Sequence, residues 1–122
     1  MATRIFQGNG RTQIASLDNG RLYAGTGRTQ IASIDRGRIF QGSGRTQILH
    51  LDGNRIFQGN GRTQLALFDN GRVYLGTGRT QIASYDHRRI YQGSGRNLIG
   101  SVDGPCSLAE LAALLHIVFP VF

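Results

Sequence analysis

The chain has 122 residues, enough for one domain with a modest hydrophobic core but too few for two. Its 14 basic residues are all arginine and are opposed by only 7 acidic ones; this formal net charge of +7 bears on solubility and on anionic partners but indicates no fold, and repetition of one modest imbalance is its simplest explanation. A single cysteine excludes a disulfide framework within the chain, and the lack of a signal-peptide pattern favours a cytoplasmic location.

From Arg4 onwards the chain consists of six consecutive 17-residue segments that align without gaps. They begin at residues 4, 21, 38, 55, 72 and 89, and the first reads RIFQGNGRTQIASLDNG. Segments three apart resemble each other more than neighbours do, and the residue between the two turn glycines shows this order: Asn9, Thr26, Ser43, Asn60, Thr77, Ser94. The sequence therefore predicts a six-repeat β body over residues 1–105, with two similar halves related by a pseudo-two-fold axis.

Two turn signals divide each segment. In the first segment these are a Gly-x-Gly turn at residues 8–10, where glycine supplies positive φ, and an Asp-Asn-Gly turn at residues 18–20. The runs between the turns, residues 4–7 and 11–17, are rich in β-branched and aromatic residues and too short for helices. Each segment therefore predicts two short strands, about twelve in all.

Two arrangements of these strands fit the repeats. In an antiparallel meander each turn is a hairpin, whereas in a β-solenoid each segment is one coil and identical side chains stack. The Asp-Asn-Gly turns favour the meander, because they match the twist of antiparallel hairpins. We therefore expect a mainly β fold with one C-terminal helix (α+β), in which six hairpin repeats form a closed or sandwiched body; a β-solenoid is the alternative.

Both faces of the predicted sheet carry large apolar residues. Ile5 and Phe6 are adjacent in a strand and must point to opposite faces, and Ile14 and Leu17 do the same in the next strand. A sheet with one face in solvent would alternate cleanly between apolar and polar residues. Either the sheet is covered on both sides or a bulge resets the register.

The segment over residues 106–122 predicts a short helix and tail. Ser107 and Glu110 form a capping-box signature, and the run from Leu108 to Val118 ends before Pro120. Because the run is apolar nearly all round, it must be buried, either inside the β body or against another copy of the chain. We expect an intersubunit component and hence a homo-oligomer. The candidate interface residues are Leu108, Leu111, Leu114, Leu115, Val118 and Phe119.

The repeated Gly-x-Gly-Arg-Thr sequence is the most suggestive candidate site. Backbone N–H groups in a glycine turn, followed by arginine, can hold an anion such as phosphate or carboxylate. The pattern lacks the last glycine and the following helix of a dinucleotide-binding motif, so a turn followed by a strand-start arginine is the simpler interpretation. The candidate anion or ligand residues are Arg11, Arg28, Arg45, Arg62, Arg79 and Arg96.

The arginines also alternate with one aromatic residue per segment, an arrangement that resembles single-strand nucleic-acid platforms in composition. Because each aromatic stands beside a β-branched residue or leucine, a core or interface role is the simpler expectation. The aromatics are Phe6, Tyr23, Phe40, Phe57, Tyr74 and Tyr91.

Catalytic and metal-binding constellations are not evident. His50, His87 and His116 share no ligand spacing, and one cysteine cannot complete a zinc site. The aspartates occur once per segment at a turn, each near the first arginine of the next segment, as Asp18 is near Arg21, so they are not expected to converge. We therefore expect no enzyme, no metal and no cofactor. No apolar stretch is long enough to span a membrane as a helix.

The segment form RIFQGxGRTQIAxxD resembles the tandem short β repeats of small bacterial hypothetical proteins, some carried on integron gene cassettes. The resemblance covers residues 4–105. It implies origin and architecture but no activity and no residue roles.

The functional expectation is a non-enzymatic, homo-oligomeric β-repeat protein that acts as a binding or scaffold module. The first alternative is a multivalent carbohydrate or anion binder that uses the repeated Gly-x-Gly-Arg-Thr-Gln loops. The second is a nucleic-acid binder that uses the arginine array.

Overall fold

A computed structural model describes residues 3–8, 10–86, 88–95, 97–104, 106–119 and 121–122. The described chain forms twelve short strands followed by one helix. The strands are β1 (Thr3–Gln7), β2 (Gln13–Asp18), β3 (Arg21–Ala24), β4 (Gln30–Asp35), β5 (Arg38–Gln41), β6 (Thr46–Asp52), β7 (Arg55–Gln58), β8 (Gln64–Asp69), β9 (Arg72–Leu75), β10 (Gln81–Asp86), β11 (Arg89–Gln92) and β12 (Asn97–Asp103). They close into a barrel.

The strands form an antiparallel meander, as the turn chemistry predicted. Each strand pairs with its neighbours in sequence, and β1 pairs with β12 to close the ring, with Ile5 opposite Val102. The β-solenoid alternative is wrong. Consecutive strands are joined by hairpins and do not form stacked coils. At the first Asp-Asn-Gly turn, Asn19 and Gly20 both adopt positive φ (54° and 75°), which a tight antiparallel turn requires.

A β-bulge recurs wherever an odd-numbered strand pairs with the even-numbered strand that follows it. Ile5 lies opposite Ala15, but Phe6 lies opposite Gln13, which leaves Ile14 as the extra residue. The same shift occurs in the other five pairs of this kind. The bulge resets the alternation of faces, so that Ile14 as well as Ala15 packs against the core. A bulge was one of the two explanations offered for the apolar residues on both faces.

The barrel has two distinct ends. The Asp-x-Gly turns lie at one, which we call the hairpin end, and the Gly-x-Gly loops lie at the other, which we call the loop end. The helix follows β12 from the hairpin end, where Cys106 and Leu108 lie beside Gly71. Val118 and Phe119 lie beside Gln7 at the loop end. The helix therefore runs through the interior from one end to the other.

The interior is wide enough for one helix and little else. Twelve strands about 4.8 Å apart give a backbone ring roughly 18 Å across, before tilt widens it. A helix with its side chains is about 10–12 Å wide. The wall accommodates it with small inward residues: Ala15, Ala32, Ala66 and Ala83 are fully buried in the same cluster as the helix residues.

The helix itself begins as predicted. It is α-helical over Leu108–Ala113 (α1) and continues as a π-helical turn over Leu114–Val118. The capping box is present: the Glu110 N–H donates to the Ser107 hydroxyl over 3.2 Å, and the Ser107 N–H donates to the Glu110 carboxylate over 2.9 Å. The wider final turn was not predicted.

The predicted subunit interface is not supported for most of its residues. Leu111, Leu114, Leu115 and Phe119 are buried inside this chain's own barrel, so a partner could not reach them. Val118 is half-buried at the loop end, and only Leu108 is substantially exposed, at 41%. The barrel interior provides the burial that the helix requires within one chain, and the homo-oligomer stays a prediction. Within the described part of the chain, no helix is long and apolar enough to cross a membrane.

Candidate functional site

The outer wall of the barrel carries a ring of aromatic side chains. Ile5 points inward and belongs to the core cluster, so Phe6, the next residue along the strand, points outward. The same holds for the aromatic residue of each odd-numbered strand. These six aromatics are nonetheless only 4–6% exposed: Phe6, Tyr23, Phe40, Phe57, Tyr74 and Tyr91. Something on the outside of the barrel must cover them.

Arginines from the Gly-x-Gly loops lie over five of these rings. In the first five segments the loop turns the chain back at the end of an odd-numbered strand, so the arginine five residues after the aromatic returns over its ring. The guanidinium carbon lies 4.2–4.5 Å from the ring centroid, within the range of a cation–π contact. The pairs are Arg11 on Phe6, Arg28 on Tyr23, Arg45 on Phe40, Arg62 on Phe57 and Arg79 on Tyr74. We call these five stacked arginines the arginine girdle.

Further contacts fix the direction of individual girdle arginines. Arg28 donates to the Tyr23 hydroxyl over 3.3 Å and Arg79 to the Tyr74 hydroxyl over 3.4 Å. The aspartate of the preceding hairpin also lies near: Arg28 is 3.8 Å from the Asp18 carboxylate. The equivalent pairs of Arg62 with Asp52 and Arg79 with Asp69 have the same separation. The guanidinium is thus held on one face by a ring and at one edge by a carboxylate.

The aspartates were expected to pair with the first arginine of the next segment. Arg21 does lie opposite Asp18 across the hairpin. The ion pair within 4 Å, however, is formed with the loop arginine Arg28, whose side chain crosses the ring to reach the carboxylate. Because both partners are at least partly in water, each such pair contributes less than about 1 kcal/mol to stability.

The girdle arginines remain accessible despite these contacts. The side chains of Arg28 and Arg62 are 73% exposed and that of Arg79 is 67% exposed. Each therefore presents one planar face and most of its N–H donors to solvent. The first arginine of each segment lies two residues before the aromatic on the same outer face and is also exposed, as with Arg21 and Arg38. The outer wall is consequently rich in positive charge.

Some of the backbone groups that the sequence offered for an anion cradle in the Gly-x-Gly loops form hydrogen bonds within the protein. The N–H of Gly25 already donates to the Ile14 carbonyl, and its own carbonyl accepts a hydrogen bond from the Gln13 side-chain amide. This glutamine bond recurs along the rim at 2.8–3.1 Å, from Gln13, Gln30, Gln47, Gln64 and Gln81 to Gly25, Gly42, Gly59, Gly76 and Gly93. Hydrogen bonds therefore link neighbouring loops along the rim. Of the six predicted arginines, Arg96 lies outside the described residues.

The sixth segment departs from the pattern where β12 meets β1. Leu98 stands where the other segments have glutamine, and Gly100 stands where they have alanine or leucine. A Cβ on Gly100 would lie 2.3 Å from Cζ of Phe119, so the missing side chain makes room for this ring. The glycine at this position was the one sequence signal for where the tail docks.

An open cleft of about 650 Å³ lies beside this seam at the loop end. The amides of Gln7 and Gln92 and the apolar side chains of Ile14, Ile99 and Phe119 line it. None of the described lining residues is ionisable.

The described histidines have structural partners. His50 stacks on Phe57 with 5.1 Å between ring centroids, and its Nδ1 lies 2.9 Å from the Gly59 carbonyl. His116 packs on Phe122 at the loop end, with Nδ1 3.1 Å from the carbonyl oxygen of that residue. His87 lies outside the described residues. Among the residues that are described, no three His, Cys, Asp or Glu side chains are grouped as a metal site.

Cys106 lies at the hairpin end, and its surroundings favour the protonated thiol over the reactive thiolate. Burial, and secondly the nearby Glu110 carboxylate, raise the pKa of its thiol to about 12. Burial also raises the pKa of the neighbouring Tyr85 hydroxyl. Because the thiolate is the nucleophilic form, this raised pKa disfavours reaction of Cys106 at neutral pH.

These features define a class of molecule: a closed twelve-stranded antiparallel barrel filled by its own C-terminal helix and covered outside by stacked arginines. Comparisons of the chain with protein-family models, curated proteins and solved structures find no match. Function is therefore inferred from the girdle itself.

Proposed function

We propose that this chain is a non-enzymatic binding module for linear polyanions, that is, polymers of phosphate or sulfate esters, which lie along the arginine girdle. The observation that carries the proposal is the stacking of five exposed guanidiniums on buried rings at 4.2–4.5 Å around one wall. A surface that was merely positively charged would not need its arginines stacked on aromatic rings at regular intervals.

The stacking prepares the arginines for binding. A free arginine loses about 0.5–1.5 kcal/mol of side-chain entropy when a ligand immobilises it. Arg28 is already held by the Tyr23 ring and hydroxyl and by Asp18, so much of that cost is met on folding. Its outward N–H groups can still form paired hydrogen bonds to a phosphate or sulfate.

The spacing of the girdle suits a polymer better than a single anion. Neighbouring girdle residues belong to strands two apart, a separation of roughly 10 Å along the sheet. One phosphate or sulfate cannot bridge that distance, but successive groups of a flexible chain can contact successive arginines. Each contact is weak, and linking several raises the overall affinity.

The aspartates reduce the positive charge of this surface and therefore its affinity for polyanions. Each segment carries at least two arginines and one aspartate, so the segments are net positive, while hairpin carboxylates lie 3.8 Å from Arg28, Arg62 and Arg79 and shield part of their charge. We therefore expect binding that is strong at low ionic strength and reversible at higher salt.

Salt-dependent binding to heparin and to an oligonucleotide tests the proposal. The girdle variant is R45Q/R62Q. The matched control, R36Q/R88Q, removes the same charge from exposed arginines at hairpin turns, outside the girdle. For a single strand, each lost contact lowers the slope of log affinity against log salt by about 0.7. The girdle variant should lose about 1.4 in slope, and the control should lose less than half of that.

Two results would contradict the proposal. One is that the wild-type protein binds neither heparin nor the oligonucleotide at low salt. The other is that the girdle and control variants lose affinity equally, since net charge rather than the stacked array would then explain binding. Thermal unfolding of each variant establishes that the barrel is intact.

A further inference from the structure

The geometry of the girdle points to a more specific ligand: we infer that it binds single-stranded nucleic acid, whose unpaired bases stack on the open faces of the girdle guanidiniums. This inference rests on the proposed polyanion function and names the ligand class of the same site.

The guanidinium is planar and has two faces. In Arg28 one face lies on the Tyr23 ring at 4.3 Å, yet the side chain remains 73% exposed. Arg62, at 4.5 Å from the Phe57 ring, is exposed to the same extent. The side of each guanidinium that faces away from the ring is therefore open to solvent and accessible to a flat ligand.

Unpaired bases are flat ligands that stack on arginine planes as well as on aromatic rings. Direct stacking on the rings is blocked here, because the aromatics are only 4–6% exposed beneath the arginines. A base would instead form the third layer of a stack of ring, guanidinium and base, while the N–H edge of the arginine contacts a neighbouring phosphate. The same residue thus provides both kinds of contact.

This arrangement discriminates among polyanions. A duplex keeps its bases stacked inside and offers only phosphates, and a sulfated glycan has no planar ring to stack. Both should bind through charge alone. A single strand adds stacking at successive girdle positions, which is tolerant of sequence because every base has a flat face.

The test compares two strands of equal charge, one with and one without bases, and adds a duplex and heparin as polyanions without unpaired bases. The probes are a ~15-nucleotide oligothymidylate, an abasic strand of the same length, the corresponding duplex and heparin, all at one salt concentration. We expect the abasic strand to bind at least about tenfold more weakly than the oligothymidylate, since one stacked base already contributes that much.

The variant R28K/R62K/R79K provides the matched control, because lysine keeps the charge but has no planar face. It should bind the abasic strand nearly as the wild-type protein does and lose the preference for bases. Equal wild-type affinity for the oligothymidylate and the abasic strand would overturn the inference but leave the polyanion function in place. Failure of every probe to bind, including heparin, would overturn both. Circular dichroism and thermal unfolding confirm that the variant is folded.

Discussion

Substitution of Gly100 by alanine should expel the ring of Phe119 from the seam of the barrel. An added Cβ would lie 2.3 Å from Cζ and 2.6 Å from Cε1 of Phe119, whereas ordinary contacts are 3.4–4 Å. The added Cβ would also lie 2.9 Å from the Phe6 carbonyl oxygen, so backbone as well as the ring crowds it. Overlap of more than 1 Å cannot be absorbed by small shifts in a close-packed interior.

The cost follows from the ring that must leave. Phe119 is 7% exposed and belongs to the core cluster. Removing a buried phenylalanine costs about 3–5 kcal/mol, and overpacking alone costs about 1–3 kcal/mol. We expect Gly100→Ala to lower the free energy of unfolding by about 3 kcal/mol.

Urea unfolding of a double-mutant cycle measures this coupling. Gly100→Ala and Phe119→Ala should each cost about 3 kcal/mol, but the double variant should cost about 3–4 kcal/mol rather than their sum. Gly44→Ala is the control, because nothing lies within 4 Å of its position and its φ is not in the left-handed region; it should be close to neutral. Additive costs within about 0.5 kcal/mol would refute the contact between Gly100 and Phe119.

Three further predictions concern the core, the thiol and the girdle. Leu114→Ala should lower the free energy of unfolding by about 3 kcal/mol in urea, since the side chain is fully buried between helix and wall; a cost under 1 kcal/mol would contradict the buried helix. Alkylation of Cys106 at pH 8 should be slow when folded and fast in urea, because burial raises the thiol pKa from 9.0 to about 12. The folded state holds that proton more tightly, so stability should also fall as pH rises above about 9; fast alkylation of folded protein would refute this. Asp52→Asn removes the carboxylate 3.8 Å from Arg62 and should raise heparin affinity more than Asp103→Asn, which makes the same charge change beside a hairpin arginine; an equal rise in both would count against the girdle.

Local chemistry predicted much of the fold. The positive φ of Asn19 and Gly20 follows from their turn signal, and the Ser107–Glu110 cap follows from residue type and spacing. The opposite orientations of Ile5 and Phe6 follow from strand geometry alone. Each of these features is determined by residues that are close together in the chain, so it can be predicted from the sequence.

Closure of the barrel and the place of the helix could not be predicted in the same way. The pairing of Ile5 with Val102 joins the two ends of the body, and no local signal distinguishes it from an open edge or a partner's strand. The apolar helix required burial, but Leu114 would be removed from water equally well inside its own barrel or against another subunit. Only the circumference of twelve strands decides that the helix fits inside.

The sequence identified the residues of the girdle but not their stacking. The loop arginines were identified as candidate anion ligands, and the aromatics were expected in the core or an interface. Stacking of Arg28 on Tyr23 depends on how the Gly-x-Gly loop returns the chain, and the spacing of five residues acquires meaning only with that loop shape. Five of the six outward aromatics lie beneath these arginines.

Observation of the arginine Nε–Hε resonances by NMR during titration with oligothymidylate at low salt tests the central claim most directly. Because all the basic side chains are arginines, the spectrum reports the whole charged surface. The girdle account predicts that Arg28, Arg62 and Arg79 shift progressively to saturation while Arg36 and Arg88 at the hairpin turns stay nearly unchanged. Saturable binding that shifts Arg36 and Arg88 but leaves the girdle unchanged would contradict it.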